Sequence, residues 1–152
     1  MDRRHFLIAA FGLSLPACHR VTAARSGECQ MCRRRVHAES RAVASINGRQ
    51  DLFCCLACAL AAGRQGAKSL IVRALADYDT KADLDAGQAF LVRGSDVNPC
   101  AHKHSVIGAA KRASEVAYDR CSPSVLAFRS LESAGAFMAR HGGSLVRLAD
   151  LR

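Results

Sequence analysis

Eight cysteines and six histidines among 152 residues are the groups with the most chemistry to offer. Their spacing sorts them. Cys29-Gln30-Met31-Cys32 and Cys55-Leu56-Ala57-Cys58 are two pairs, each with two intervening residues, separated by 22 residues. Two intervening residues let a tight turn, or the first turn of a helix, aim both sulfurs at one point. Two such bites surround a tetrahedral ion with four thiolates, the arrangement that ordinarily holds structural zinc. Cys54 offers a second bite with Cys58, and soft Cu(I) accepts two or three sulfurs. The same residues can instead form disulfides, act as a redox couple or simply pack. A thioredoxin-like role for Cys29 and Cys32 is disfavoured, because Arg33-Arg34-Arg35 follows where an apolar helical face is needed.

A second constellation lies further along, in Cys100-Ala101-His102-Lys103-His104 and Cys121. Alternation along an extended segment sets Cys100, His102 and His104 on one side, and thiolate with imidazole suits copper or zinc. The competing reading is solvated histidines with a Cys100–Cys121 disulfide across a hairpin. Met138 stands at helical spacing with Ala134 and Phe137 and reads as core, and His141 before Gly142-Gly143 reads as a helix end. Asp77, Asp79, Asp83 and Asp85 lack the order of a calcium loop and read as bounding a turn. No nucleophile, base and orienting group occur together, so no enzymatic activity is expected.

The elements that must position these groups come from an internal duplication. Phe53-Cys54-Cys55-Leu56-Ala57-Cys58-Ala59 parallels Phe128-Arg129-Ser130-Leu131-Glu132-Ser133-Ala134. Each stretch runs on as a helix, closes at glycine and leads into a strand, 69–77 in the first half and 144–150, two residues shorter, in the second. Strands flanking an Asn47-Gly48 turn precede the first helix, and Phe90–Val92 and Val125–Phe128 take their places before the second. The expectation is an α+β fold of two duplicated ββαβ units packed as one body, the first carrying a zinc-knuckle or treble-clef-like four-cysteine site. Residues 27–77 form the first unit, 78–88 a connection and 89–152 the second unit. The alignment sets Cys55 and Cys58 opposite Ser130 and Ser133 at a helix start, where serine caps and a thiol is drawn toward thiolate.

Residues 1–17 read as an export signal, with 18–26 as a tether. Arg3-Arg4-His5-Phe6-Leu7 resembles the twin-arginine motif, and Leu15-Pro16-Ala17-Cys18 resembles a bacterial lipobox, which would lipidate Cys18. Its removal takes away Asp2, Arg3 and Arg4, so the formal charge of +9 becomes +8. Aromatic residues make up 5% of the chain and tryptophan is missing, which leaves few base-stacking platforms. Nucleic acid is therefore not an expected partner. No apolar run approaches the roughly 20 residues that span a bilayer, so a polytopic membrane protein is excluded.

Taken together, the chain resembles the NosL family, copper-binding lipoproteins associated with maturation of nitrous oxide reductase. The resemblance rests on Cys29-Gln30-Met31-Cys32, Asn47-Gly48, Phe53 with Cys58, Asp77-Tyr78-Asp79-Thr80, residues 85–95, Ala127-Phe128, Ala134, Phe137 and His141-Gly142-Gly143. It departs where Arg33-Arg34 replaces the family's Gly-Met, where Cys121 stands for a methionine, and in the stretch around Cys100. The resemblance implies copper handling. The expected function is that of an exported, lipid-anchored Cu(I) chaperone on the periplasmic face of a bacterial membrane, delivering copper to an accepting protein. Cys121 with Cys100 or His102 would serve as partly exposed transfer ligands, and a structural zinc could hold the first unit. A thiol–disulfide redox protein and a zinc-stabilised interaction module are the alternatives.

Overall fold

The computed structural model describes residues 27–66, 69–101, 104–107, 113–116 and 119–151, with only the backbone course described for 104–107 and 113–116. The first hairpin joins β1 (Ala42–Ile46) to β2 (Arg49–Phe53). Asn47 and Gly48 between them have φ of 50° and 82°, the left-handed pair whose twist matches that of antiparallel strands. Helix α1 (Leu56–Arg64) follows, and β3 (Leu70–Ala76) returns beside β1. In the second half, β5 (Phe90–Arg93) is separated from β8 (Val125–Phe128) by a hairpin of β6 (His104–Ile107) and β7 (Ala113–Val116). Helix α2 (Leu131–His141) and β9 (Ser144–Val146) complete the unit.

Strand order shows the duplication directly. The first sheet runs β2-β1-β3 and the second β8-β5-β9, each antiparallel with the unit's first strand in the centre. Ser130 caps α2 by accepting the Ser133 amide at 3.1 Å, whereas Cys55, at the corresponding place on α1, makes no side-chain cap.

Beyond the β6–β7 hairpin, the halves differ in three further places. Arg73 is the unpaired residue of a bulge, since Val43 faces Ala74 while Ala44 faces Val72; the β5–β9 register has no such step. The connection 78–88 contributes a strand of its own, β4 (Asp83–Asp85), which pairs with β3 and brings Leu84 opposite Leu75. The expected strand 144–150 ends at Val146 and passes into a 3₁₀ turn, Leu148–Leu151. That turn buries Leu151, whose carbonyl accepts from the Arg64 guanidinium at 2.9 Å.

Alternation on β8 explains how the halves pack. Leu126 and Phe128 face α2 in a core with Val92, Ala134 and Phe137, against which Tyr78 and Met138 rest. Val125 and Ala127 point the other way, into the core that also holds Phe53, Leu56, Leu75 and the cysteines. All four β8 residues are buried. At the seam Asp77 bridges to Ala127 in parallel, with the Tyr78 amide bonded to the Ala127 carbonyl at 2.8 Å. His141 ends α2, paired with Asp96 at 3.0 Å and set beside Phe137. Among the described residues no helix is long and apolar enough to cross a membrane.

Gly143 has φ +94°, and a Cβ there would lie 2.9 Å from Val92 Cγ1 and 3.0 Å from the Arg93 carbonyl oxygen. Gly135, inside α2, has open space around it. Denaturant unfolding should therefore show Gly143→Ala destabilised by roughly 2 kcal/mol and Gly135→Ala stabilised by about 0.5–1 kcal/mol. A neutral Gly143→Ala would contradict the packing of β9 against β5.

Candidate metal centre

Three short segments bring the sulfurs together. The first is a tight knuckle from Glu28 to Arg35, closed by the Cys29 amide to the Arg34 carbonyl at 2.8 Å and the Arg33 amide to the Cys29 carbonyl at 2.9 Å. Arg33 takes the left-handed conformation needed there, with φ 62°. The Gln30 amide reaches the Leu52 carbonyl at 3.0 Å, tying the knuckle to β2. The second segment is the junction of β2 with α1. Cys55 is extended there (φ −160°, ψ 166°), and its sulfur and that of Cys54 lie 3.9 Å apart at the junction. The third is the turn 119–122, where the Cys121 amide donates to Asp119 Oδ1 at 2.8 Å and Asn98 holds the Cys121 carbonyl at 2.9 Å.

Two groups of four sulfurs result, Cys29/Cys32/Cys54/Cys58 and Cys54/Cys55/Cys58/Cys121, each with all Sγ atoms within 4.8 Å of one another. Sγ–Sγ distances are 3.5 Å for Cys32–Cys54, 3.6 Å for Cys54–Cys58, 3.7 Å for Cys54–Cys121 and for Cys58–Cys121, and 3.9 Å for Cys54–Cys55. A tetrahedral ion with metal–sulfur bonds of about 2.3 Å needs sulfur–sulfur edges of about 3.8 Å. A disulfide needs about 2.05 Å. The observed edges match the metal, and all seven described cysteines are free thiols.

Proton sharing within the cluster alternates. Hydrogen bonds from Cys54 and then Cys58 push the Cys29 thiol down, and bonds from Cys100, Cys54, Cys55 and Cys58 push Cys121 down. Cys55 falls to about 5, chiefly through Cys100. Cys54, Cys58 and Cys100 are raised as donors, Cys54 chiefly through Cys100 and then Cys121, and Cys58 and Cys100 chiefly through Cys121. Burial raises Cys32. A soft cation replacing those shared protons would leave every sulfur a thiolate ligand.

The placement of the expected ligands differs in four respects. Cys54, not Cys55, completes the set with Cys29, Cys32 and Cys58; Cys55 joins Cys54, Cys58 and Cys121 of the other half in the second set. Cys100 belongs to neither group; its Sγ lies 3.1 Å from the Cys54 carbonyl and 3.2 Å from Ser40 Oγ. Cys100 and Cys121 are each only 1% exposed, so they are not accessible transfer ligands, and the half-buried thiol is Cys32. Cys100 and Cys121 are both free thiols in the described structure. His104 opens β6 opposite Val116, while His102 and Cys18 lie outside the described residues.

Arg34 and Asp119 carry weight that their spacing does not announce. Arg34 Nη1 lies 2.8 and 2.7 Å from the two carboxylate oxygens of buried Asp119, 2.9 Å from the Cys100 carbonyl and 3.9 Å from Cys121 Sγ. The ion pair joins the knuckle of the first unit to the turn of the second, and the Asp119 hydrogen bond keeps the Arg34 guanidinium firmly charged. The one signal for it in the sequence is the basic pair Arg33-Arg34 directly after Cys32.

No protein-family model matches the chain, and no curated protein matches it by sequence. Among solved structures it is similar to the copper chaperone NosL from Shewanella denitrificans, with a TM-score of 0.52 and 15% identity, over 82% of this chain and 89% of that one. The fold is NosL-like. The neighbour is a copper chaperone rather than an enzyme, and the cysteine groups of this chain have the donor chemistry and spacing for a metal ion.

Cys55 titrates near 5 when folded against an ordinary 9.0. A depressed acid contributes stability that is complete above the unfolded value and is lost as pH falls through the folded one. The raised thiols Cys54, Cys58 and Cys100 act oppositely, costing stability once pH exceeds about 9. Metal-free, reduced protein should thus gain stability from pH 5 toward pH 9 and lose it above, with thiolate absorbance already present at neutral pH. Denaturant unfolding with ultraviolet spectra checks this; no thiolate at neutral pH would contradict it.

Proposed function

We propose that this chain is an exported copper(I) chaperone related to NosL, using cysteine sulfur where the family uses methionine. The observation that carries the reading is a NosL-like fold with two overlapping four-sulfur groups at its centre. Soft thiolates favour Cu(I) over hard cations, and burial keeps the bound ion from water and oxidants. Cys32, the half-buried member, is the sulfur through which an incoming or departing ion is exchanged. Lipidation of Cys18 would tether the domain through residues 18–26 to the periplasmic face of a membrane, in reach of a copper-accepting protein.

Anaerobic competition with a chromophoric Cu(I) chelator tests the reading. Cys54 belongs to both groups, so Cys54→Ser should weaken Cu(I) binding by more than the roughly 10–100-fold that loss of an outer-shell partner costs. Cys32→Ser should slow transfer to the chelator. Unchanged binding in Cys54→Ser would defeat the proposal. In cells of a bacterial host, Cys18→Ser should move the protein from the membrane to the soluble fraction; membrane retention would rule out the anchor.

A further inference from the structure

We infer that the centre is binuclear: two metal ions share the sulfurs of Cys54 and Cys58 as bridges. Cys29 and Cys32 complete one ion's shell, and Cys55 and Cys121 complete the other's. This rests on the metal-binding reading above and adds the number and connection of the ions. The two four-sulfur groups have Cys54 and Cys58 in common, and together they use six cysteines. The shared edge, 3.6 Å, and the Cys54–Cys121 and Cys58–Cys121 edges, both 3.7 Å, are close to the same tetrahedral value.

A single ion does not account for this arrangement. In the first group it would leave Cys55 and Cys121 as buried thiols against the shared sulfurs. In the second it would leave Cys29 buried and Cys32 half-buried as thiols against the shared sulfurs. Cys29, Cys54, Cys55, Cys58 and Cys121 are all at most 4% exposed, which is where unpaired thiolates are least tolerated. A bridging thiolate serves two cations at once, so sharing lowers the anionic charge to be buried: six thiolates balance two divalent ions to within two charges and two Cu(I) ions to within four.

The surroundings oppose that residual charge. Arg34 Nη1 lies 3.9 Å from Cys121 Sγ. The N-terminus of α1, with no side-chain cap, is flanked by Cys54, Cys55 and Cys58 and presents its positive end there. Cys100 is the informative exception. Bonded to Ser40 and to the Cys54 carbonyl, it lies outside both groups, so proximity to the core alone does not make a cysteine a ligand.

Cobalt(II), added anaerobically to reduced wild-type protein, reports both number and bridging. Native mass spectrometry should give two cobalt ions per chain. The paramagnetic resonance signal should rise with the first equivalent and fall as the second couples to it through the sulfurs. Cys121→Ser should bind one ion with an undiminished signal. One ion per wild-type chain, or two with additive signals, overturns the bridged centre while leaving metal binding intact. No cobalt bound overturns the metal-binding reading itself.

Discussion

Thiols packed without bonds between them are the constraint around which the molecule is organised. Sulfur–sulfur distances of 3.5–3.9 Å are too long for disulfides and close to the edge of a metal–thiolate tetrahedron. Buried sulfurs so close cannot all ionise together without a cation, and in its absence they divide into proton donors and acceptors. The two ββαβ units meet where this conflict is greatest. Cys29, Cys32, Cys54, Cys55 and Cys58 come from one, and Cys121 from the other.

The scaffold serves that meeting. A duplicated ββαβ unit supplies two helix starts, and the first carries thiols where the second has a serine cap. β8, buried on both faces, gives one face to its own helix and the other to the cysteine core. The Arg34–Asp119 ion pair then holds the knuckle against the Cys121 turn. Its partners lie 85 residues apart, and Asp119 is almost fully buried. Removing Arg34 would take an ion-pair partner from a nearly buried carboxylate, which costs more than loss of an exposed pair.

Much of this was legible in residue order. The Asn47-Gly48 turn, the paired helices and the Ser130 cap follow from local chemistry, in which a few neighbouring residues decide the backbone. The metal-suited set Cys29/Cys32/Cys54/Cys58 was half visible. Spacing alone favours Cys55 as readily as Cys54, and only the folded positions of the sulfurs place Cys54 in both groups and Cys55 in one. Arg34 with Asp119, and Cys121 with Cys54, were not legible, because their contacts depend on how the two units dock. The strand β4 was hidden for a similar reason: Asp83-Leu84-Asp85 has turn-like composition, and the edge of β3 recruits it.

Both halves contribute sulfur to one cysteine core with the spacing for a metal ion. Hydrogen exchange of the full chain, compared with and without bound Cu(I), tests it most directly. Metal should protect the backbone amides of the knuckle 28–35 and of the turn 119–122 together. Protection confined to the first unit, with the Cys121 turn unaffected, would contradict it.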